Sequence, residues 1–474
     1  MSSPHPWPDY SQANSVHQML LGLSPQEVQS LFEEMRRECL ARGIVYEEDD
    51  GTIRAVPVLI RPRLLAPHQV EYFRRVAAQM NSAFAKLGRW YRELPALGQV
   101  FKFNPAEQIW MDRYLPACLQ SPDALVMRWD ANASFSGRHW RGQFSFFEAN
   151  GVGVGGMHYG PAVDGVMLDV VLPRLRKLDP SLILYPAGTA CAMLHRQLLA
   201  HARSLGIEKP TIGLVVDCRS LGGPVEFDAL ADFFQSQGTR AIKADARDLR
   251  LNSDGIYAGG RRLDVLYRDT ELSELAEYEA DGEDLAAMHW AFRENRVLSS
   301  IAGELDQKSA LEVFSDPAYA EAFTRTERVA LRRHVLWTRV LRDRRTSDER
   351  GLEVDLLPHV ARRRDHYVIK PNRAFGGRGV VIGKYAESAA WDAALQEAAR
   401  KPGDFVVQQR AVVSRKKFPT LLDNGAVVEV GLHVVCGVYV SGGEVALIGR
   451  ASGARVVNVA QKGGLTSLLV CQNR

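Results

Sequence analysis

Two short hydrophobic runs, Leu125-Val126-Met127-Arg128-Trp129-Asp130 and Phe144-Ser145-Phe146-Phe147-Glu148-Ala149-Asn150, constrain the fold most. They are joined by a polar, turn-rich segment. Read as strands, side chains two apart share a face, so Arg128 projects with Asp130 and Glu148 with Asn150. Three hard-oxygen groups and a cation then meet in one place. Asp130, Glu148 and Asn150 suit Mg²⁺, which takes one or two protein carboxylates and leaves its other positions to water and nucleotide phosphate. An amphipathic hairpin with a solvated polar face would carry the same residues, and only a phosphate-binding partner elsewhere in the chain separates the two readings.

At 474 residues the chain exceeds one ordinary core and implies two to four units. A hydrophobic fraction of 46% with 24% charged residues describes a globular protein, and a net charge of +3 marks no dedicated nucleic-acid or membrane-surface binder. The cysteines at 39, 118, 191, 218, 436 and 471 lack CxxC or zinc-type spacing, which fits reduced thiols. Met1 to Trp7 has no basic stretch followed by an apolar one, and no run of 18 apolar residues occurs. A cytoplasmic location is expected.

Along the chain, Ser24-Pro25-Gln26-Glu27 has the signature of a helix start, and the helix runs to about Ala41. A turn at Glu47 to Gly51 and a strand from Ala55 to Pro62 follow, with helices at 68–94 and 105–119 before the hairpin. Gly151-Val152-Gly153-Val154-Gly155-Gly156 formally matches GxGxxG, but no βαβ unit surrounds it, so it reads as a flexible loop beside the metal ligands. Helices are expected over Val163 to Leu178, broken at Pro173, and over Thr189 to Ser204. Residues 210–300 form an open α/β unit, with Arg262 to Arg268 in a hairpin or strand pair; helices over 285–296, 306–314 and 324–342 come next.

The second chemical signal lies further on. His366 to Pro371 is a strand that carries Lys370, Asn372 to Gly379 is glycine-rich, and Val380 to Gly383 is a strand. Such a flap lets backbone N–H groups at Gly376, Gly377 and Gly379 close over phosphate, with Lys370 beside them, although the Walker spacing fails. A plain hairpin turn with an exposed Lys reads the same stretch equally well. Asp404 to Gln409 is a strand, and Val427 to Tyr439 pairs with Val445 to Arg450 across Gly442-Gly443.

The run Lys370-Pro371-Asn372-Arg373-Ala374-Phe375-Gly376-Gly377-Arg378-Gly379, with Val406 to Arg410, Arg450 and Asn458 to Gly464, resembles the nucleotide half of ATP-grasp ligases. There the acidic motif follows that half. Here Arg128-x-Asp130 and Glu148-x-Asn150 precede it, which resembles the circularly permuted ATP-grasp proteins related to the synthetase domain of glutathionylspermidine synthase. The resemblance implies an α+β / α/β chain: a circularly permuted ATP-grasp fold with an inserted Rossmann-like pre-ATP-grasp α/β domain. Its parts would be an N-terminal arm, helix and hairpin (1–60), the permuted half with the metal ligands (61–205), the α/β domain (206–300) and the nucleotide half (301–474). It further implies ATP and Mg²⁺ as cofactors, with Asp130, Glu148 and Asn150 on the metal. Lys308, Lys370, Gly376, Gly377 and Gly379 would meet phosphates, Gln408 or Gln409 adenine, and Arg128 and Arg450 the transferring phosphoryl group. Gln409 stands where many relatives have Glu, and an amidase activity of the kind fused to the bifunctional glutathionylspermidine enzyme is not expected. The expected activity is a carboxylate–amine ligase acting on small molecules through an acyl phosphate; a non-catalytic ATP-binding scaffold and a phosphotransferase are the rivals.

Overall fold

The computed structural model describes residues 10–47, 51–119, 125–132, 140–219, 224–374, 376–422, 425–457 and 463–472. Parts of some expected features lie outside them: residues 1–9 of the arm, 48–50 of the acidic turn, 133–139 of the hairpin connection, Phe375, and 458–462 of the motif ending at Gly464.

Met127–Asn132 and Phe146–Asn150 pair antiparallel. On the other edge of Met127–Asn132 lies Val427–Ser441, from the far end of the chain. That long strand turns at Gly442-Gly443 into Glu444–Ser452, which pairs in turn with Gly464–Thr466, while Arg415–Leu421 pairs with its first half. The period of two sends Met127, Trp129 and Ala131 into the largest core and leaves Arg128 and Asp130 facing a cleft. Trp129 is fully buried there, so its truncation would cost about 3–5 kcal/mol.

A second antiparallel sheet, ordered Thr338–Val340, Phe405–Gln409, Tyr367–Pro371, Val381–Ile382, packs on its own core of Trp337, Tyr367 and Trp391. A third sheet is parallel: Val297–Leu298, Val265–Arg268, Ile212–Val215, Ala241–Ala244. Ile212, Leu214 and Val265 enter one core and Val215, Leu266 and Val297 another. Burial on both faces explains why these strands read as unbroken apolar runs. The helix Pro25–Ala41 begins as its sequence requires, with the Ser24 N–H donating to Glu27 Oε2 at 2.8 Å.

Five expectations are corrected. Ala55 to Pro62 is no continuous strand; Ile53–Ala55 and Arg63–Leu65 flank a single bridge at Val58, because Pro57 and Pro62 supply no N–H. The helix expected from Val163 starts at Tyr159 and is interrupted by a π turn, Met167–Val171, just before Pro173. Arg262 to Arg268 divides between two sheets, Arg261–Leu263 beside Gly255–Ala258 and Val265–Arg268 in the parallel sheet. Asp264 anchors the change, its carboxylate accepting the Thr211 N–H at 2.8 Å. Ile301–Asp306 is a tight helical turn and Ala310–Ser315 a separate helix, which leaves Gln307 to Ser309 as a connector. The helix from Thr324 ends at His334, whose ring donates to Phe144 O at 2.8 Å and accepts the Tyr72 hydroxyl at 2.7 Å; Thr338–Val340 is then a strand.

Candidate functional site

The hairpin register places Arg128 opposite Asn150 and Asp130 opposite Glu148. A bulge follows, since Ala131 pairs with Phe146, and the skipped residue, Phe147, turns toward the cleft with Glu148. Arg128 Nε donates to Asp130 Oδ1 (3.0 Å), Nη2 to Asn150 Oδ1 (3.2 Å) and Nη1 to Gly155 O (2.7 Å). Arg450, reaching across from Glu444–Ser452, sets Nη2 2.7 Å from Asp130 Oδ2. Burial pushes the Asp130 carboxyl up, but Arg128 and Arg450 outweigh it and hold it below the usual carboxylate range. The side chain of Arg128 lies flat over Val427–Ser441 because Gly437 is beneath it; a Cβ there would sit 2.9 Å from Arg128 Cδ.

The lysines come from two other elements. Lys370, on Tyr367–Pro371, donates to Gln408 Oε1 (2.7 Å) and Phe147 O (3.2 Å), with its ammonium 5.2 Å above the Phe147 ring. Burial lowers its pKa to about 8, with Glu148 opposing that shift and Lys308 adding to it. Lys308, in the connector, pairs with Glu148 Oε1 at 3.0 Å and donates to Ala374 O at 2.7 Å. The structure thus gathers Arg128, Asp130, Glu148, Asn150, Lys308, Lys370 and Arg450 around one cleft of about 1310 Å³, which Gly376, Gly377, Gln408 and Gln409 also line. Gly379 lies at the far end of the glycine-rich loop and is not among the lining residues. The Gln408 amide is taken up by Lys370 and by donation to Thr338 Oγ1 (2.9 Å), and the Gln409 N–H donates to Trp337 O (2.8 Å). Beyond them, Ala411 to Val413 border the cleft.

The two glycine-rich loops differ. The base of the loop after Lys370 is fixed: Asn372 Oδ1 accepts the Ser309 N–H (2.9 Å) and Arg373 Nη1 donates to buried Glu107 (2.6 Å). Its tip at Gly376, Arg378 and Gly379 is exposed. The loop from Gly151 to Gly156 is held at both ends, which corrects its reading as flexible. Asp306 Oδ2 accepts the N–H groups of Gly151 (2.6 Å) and Val152 (3.2 Å), and the Glu226 carboxylate accepts those of Gly156 (3.0 Å) and His158 (2.9 Å). With the Gly151, Val152 and Gly156 donors taken by carboxylates and the Gly155 N–H by Gly153 O (2.8 Å), the loop presents a carbonyl, Gly155 O, to Arg128 and to the Tyr439 hydroxyl (3.0 Å).

The cleft ends beyond this loop in carboxylates. Burial raises Asp269 to about 7, helped by Glu226; burial raises Glu271 to about 9, helped by Glu304, Asp306 and Glu274. Asp306 is pushed up to about 7 by burial despite its two N–H partners. Sequence reasoning missed Phe147, Glu226, Asp269, Glu271 and Asp306. Phe147 enters through the bulge in the hairpin, and Glu226, Asp269, Glu271 and Asp306 follow strands of the parallel sheet in no motif of their own.

With this geometry in hand, likeness to solved proteins can be stated. The chain superposes on a glutathione synthetase-like effector of Globodera pallida, solved in its apo form, with a TM-score of 0.62 over 94% of this chain and 98% of that one. The fold is glutathione synthetase-like. Identity between the two is 12%, so the likeness is one of mixed α/β architecture. No family model matches the chain, and no curated protein sequence does. Among the described residues no helix is long and apolar enough to cross a membrane.

Proposed function

We propose that this glutathione synthetase-like protein is a circularly permuted ATP-grasp enzyme, an ATP- and Mg²⁺-dependent carboxylate–amine ligase that works through an acyl phosphate. The observation that carries this reading is the convergence of Arg128, Asp130, Glu148 and Asn150 from the hairpin with Arg450, Lys308 and Lys370 from the second half of the chain around one cleft. In a permuted order the acidic motif comes first (within 61–205), the parallel α/β unit lies between (206–300), and the nucleotide half closes the chain (301–474). Strand pairing between Met127–Asn132 and Val427–Ser441 joins the two ends and favours that reading.

The donor set fits Mg²⁺. Asp130, Glu148 and Asn150 offer oxygen only, on adjacent strands at facing positions, with no thiol or imidazole among them. Bound there with the nucleotide, the metal would neutralise charge on the transferring phosphoryl group. The chain's own part is more specific. Lys370 and Lys308 would meet phosphate oxygens, and the flap at Gly376, Gly377 and Gly379 would cover them with N–H donors. Arg128 and Arg450 would stabilise the equatorial oxygens during transfer; Arg450 Nε, buried with no acceptor among the described residues, offers a donor for such an anion. The base would be met by Gln409 and the chain past it, at Ala411 to Val413, since the Gln408 side chain is already engaged. The acid, activated as its acyl phosphate, would await the amine in a cleft from which the flap excludes water. Asp269 and Glu271 at the cleft's acidic end would receive that amine as an ammonium ion.

The test is ADP release against a matrix of amino acids, small peptides and polyamines. Amine-dependent release supports a ligase. Release with an acid alone would assign a phosphotransferase, and ATP binding without release a scaffold. Glu148→Gln and Asn150→Ala should each remove most turnover while leaving the melting temperature within a few degrees, because neither creates a cavity; unchanged turnover in both would discard the metal assignment.

A further inference from the structure

The connector Gln307 to Ser309 touches three parts of the site at once. Asp306, at its start, holds the N–H groups of Gly151 and Val152. Its backbone is stitched to the flap base, the Lys308 N–H donating to Asn372 O (3.1 Å) and the Ser309 N–H to Asn372 Oδ1 (2.9 Å). Lys308 itself, 6% exposed, divides its ammonium group between Glu148 Oε1 of the hairpin (3.0 Å) and Ala374 O of the flap (2.7 Å). One side chain therefore joins an expected metal ligand to the loop expected over the phosphates.

We propose that Lys308 is a latch that makes metal and nucleotide bind together and each bind poorly alone. The inference rests on the ATP and Mg²⁺ reading above and adds a role for the pair Lys308–Glu148. In the empty protein Asp130 is neutralised by Arg128 and Arg450 and Glu148 by Lys308, so a lone divalent cation meets carboxylates whose charge is already matched. A metal-free nucleotide would draw Lys308 toward phosphate and leave Glu148 half-buried without a counter-charge, which is costly. With both present, Glu148 exchanges the ammonium for the metal and Lys308 exchanges Glu148 for phosphate, so no charge is stranded. Leaving Ala374 O at the same moment, Lys308 also unties the base of the glycine-rich loop. The coupling is reciprocal, as any linkage between two binding events must be, and of the usual five- to 150-fold size.

The experiment uses the full chain and Mn²⁺ as the metal probe, read by electron paramagnetic resonance without nucleotide. Lys308→Met should bind Mn²⁺ about tenfold tighter than the wild type, because Glu148 is freed; Lys308→Arg should behave as the wild type. In a Glu148→Gln background the Lys308→Met gain should vanish. Lys308→Gln serves if the Met variant melts early. By calorimetry, Mn²⁺ should tighten ATP binding strongly in the wild type and only weakly in Lys308→Met. Equal Mn²⁺ affinity of wild type and folded Lys308 variants, or no Mn²⁺ binding by any of them, would overturn the latch. Failure of the ligase reading looks different: no nucleotide binds the wild type at any metal concentration, whereas the Mn²⁺ comparison still reports on Lys308 and Glu148.

Discussion

The loop Gly151 to Gly156 and the loop Asn372 to Gly379 are alike in composition and border the same cleft, yet they have opposite mechanics. The first lies over carboxylates, Asp306 at one end and Glu226 at the other, which take the N–H groups of Gly151, Val152 and Gly156. The second lies beside Lys370 and is held at its base through Asn372, Arg373 and Ala374, with its tip exposed. Glycine permits both outcomes; what decides is whether a buried acceptor faces the backbone donors. The first loop is thus a wall that orients Arg128, and the second is the one proposed as a flap.

The widest expected difference is in hydrogen exchange. Without ligand, the amides of Gly151, Val152 and Gly156 should exchange on the order of a thousandfold more slowly than those of Gly377 and Gly379, about 4 kcal/mol of opening free energy. Comparable rates would erase the distinction. Limited proteolysis gives the same contrast within the flap: trypsin should cut after Arg378 and spare Arg373, which is held by Glu107, and Mg²⁺-ATP should protect Arg378.

Substitution comes next in size. Gly377 has φ +70°, and a Cβ would stand 2.3 Å from Val456 Cγ1, so Gly377→Val should hinder closure. Turnover is expected to fall about a hundredfold, roughly 2.7 kcal/mol of barrier, with a much smaller loss of stability. Asp306→Ala should do the reverse. Two buried N–H groups lose their acceptor, which costs about 2 kcal/mol in urea unfolding. If both variants lost stability and turnover in the same proportion, the wall and the flap would be one mechanical unit.

Titration offers the smallest and sharpest contrast, because the two sides should respond with opposite sign. Glu271 has its pKa raised from 4.5 to about 9 in the folded protein, so its contribution is fully present below pH 4.5 and is lost as pH rises through 9. Glu271→Gln should therefore stabilise the ligand-free protein by about 1 kcal/mol at pH 8 and leave it unchanged at pH 4. Lys370 has its pKa lowered from 10.5 to about 8, so burying its charge is a penalty below pH 8 that fades toward pH 10.5. Lys370→Met should raise stability at pH 7 by about 1 kcal/mol and lose that advantage above pH 10.5, while weakening ATP binding far more than adenosine binding. Melting curves across pH check both.

Much of the site was legible because its chemistry is local. Arg128-x-Asp130 and Glu148-x-Asn150 carry strand alternation in their own sequence, and Lys370 precedes a glycine run that can only be a turn or a flap. The helix expected to run to 342 stops at His334 because apolar residues recur from Val329 to Leu341 at spacing a helix would also show, and nothing in the stretch signals that Phe144 and Tyr72 would seize His334 and end it. Phe147 joined the cleft through a bulge, and a one-residue slip in register has no signature in a short apolar run.

What the sequence determined by itself is therefore what depends on neighbours along the chain: strand faces, the capped start at Ser24, the glycine turns and the residue types that line the cleft. What only the tertiary structure decided is pairing across distance. Asp130 sits between Arg128 and Arg450, Glu148 on Lys308, and Gly151 on Asp306 because three sheets meet at the cleft. An isolated charge or N–H group does not specify its partner; burial does, by making every unpaired alternative more costly than the pair the fold provides.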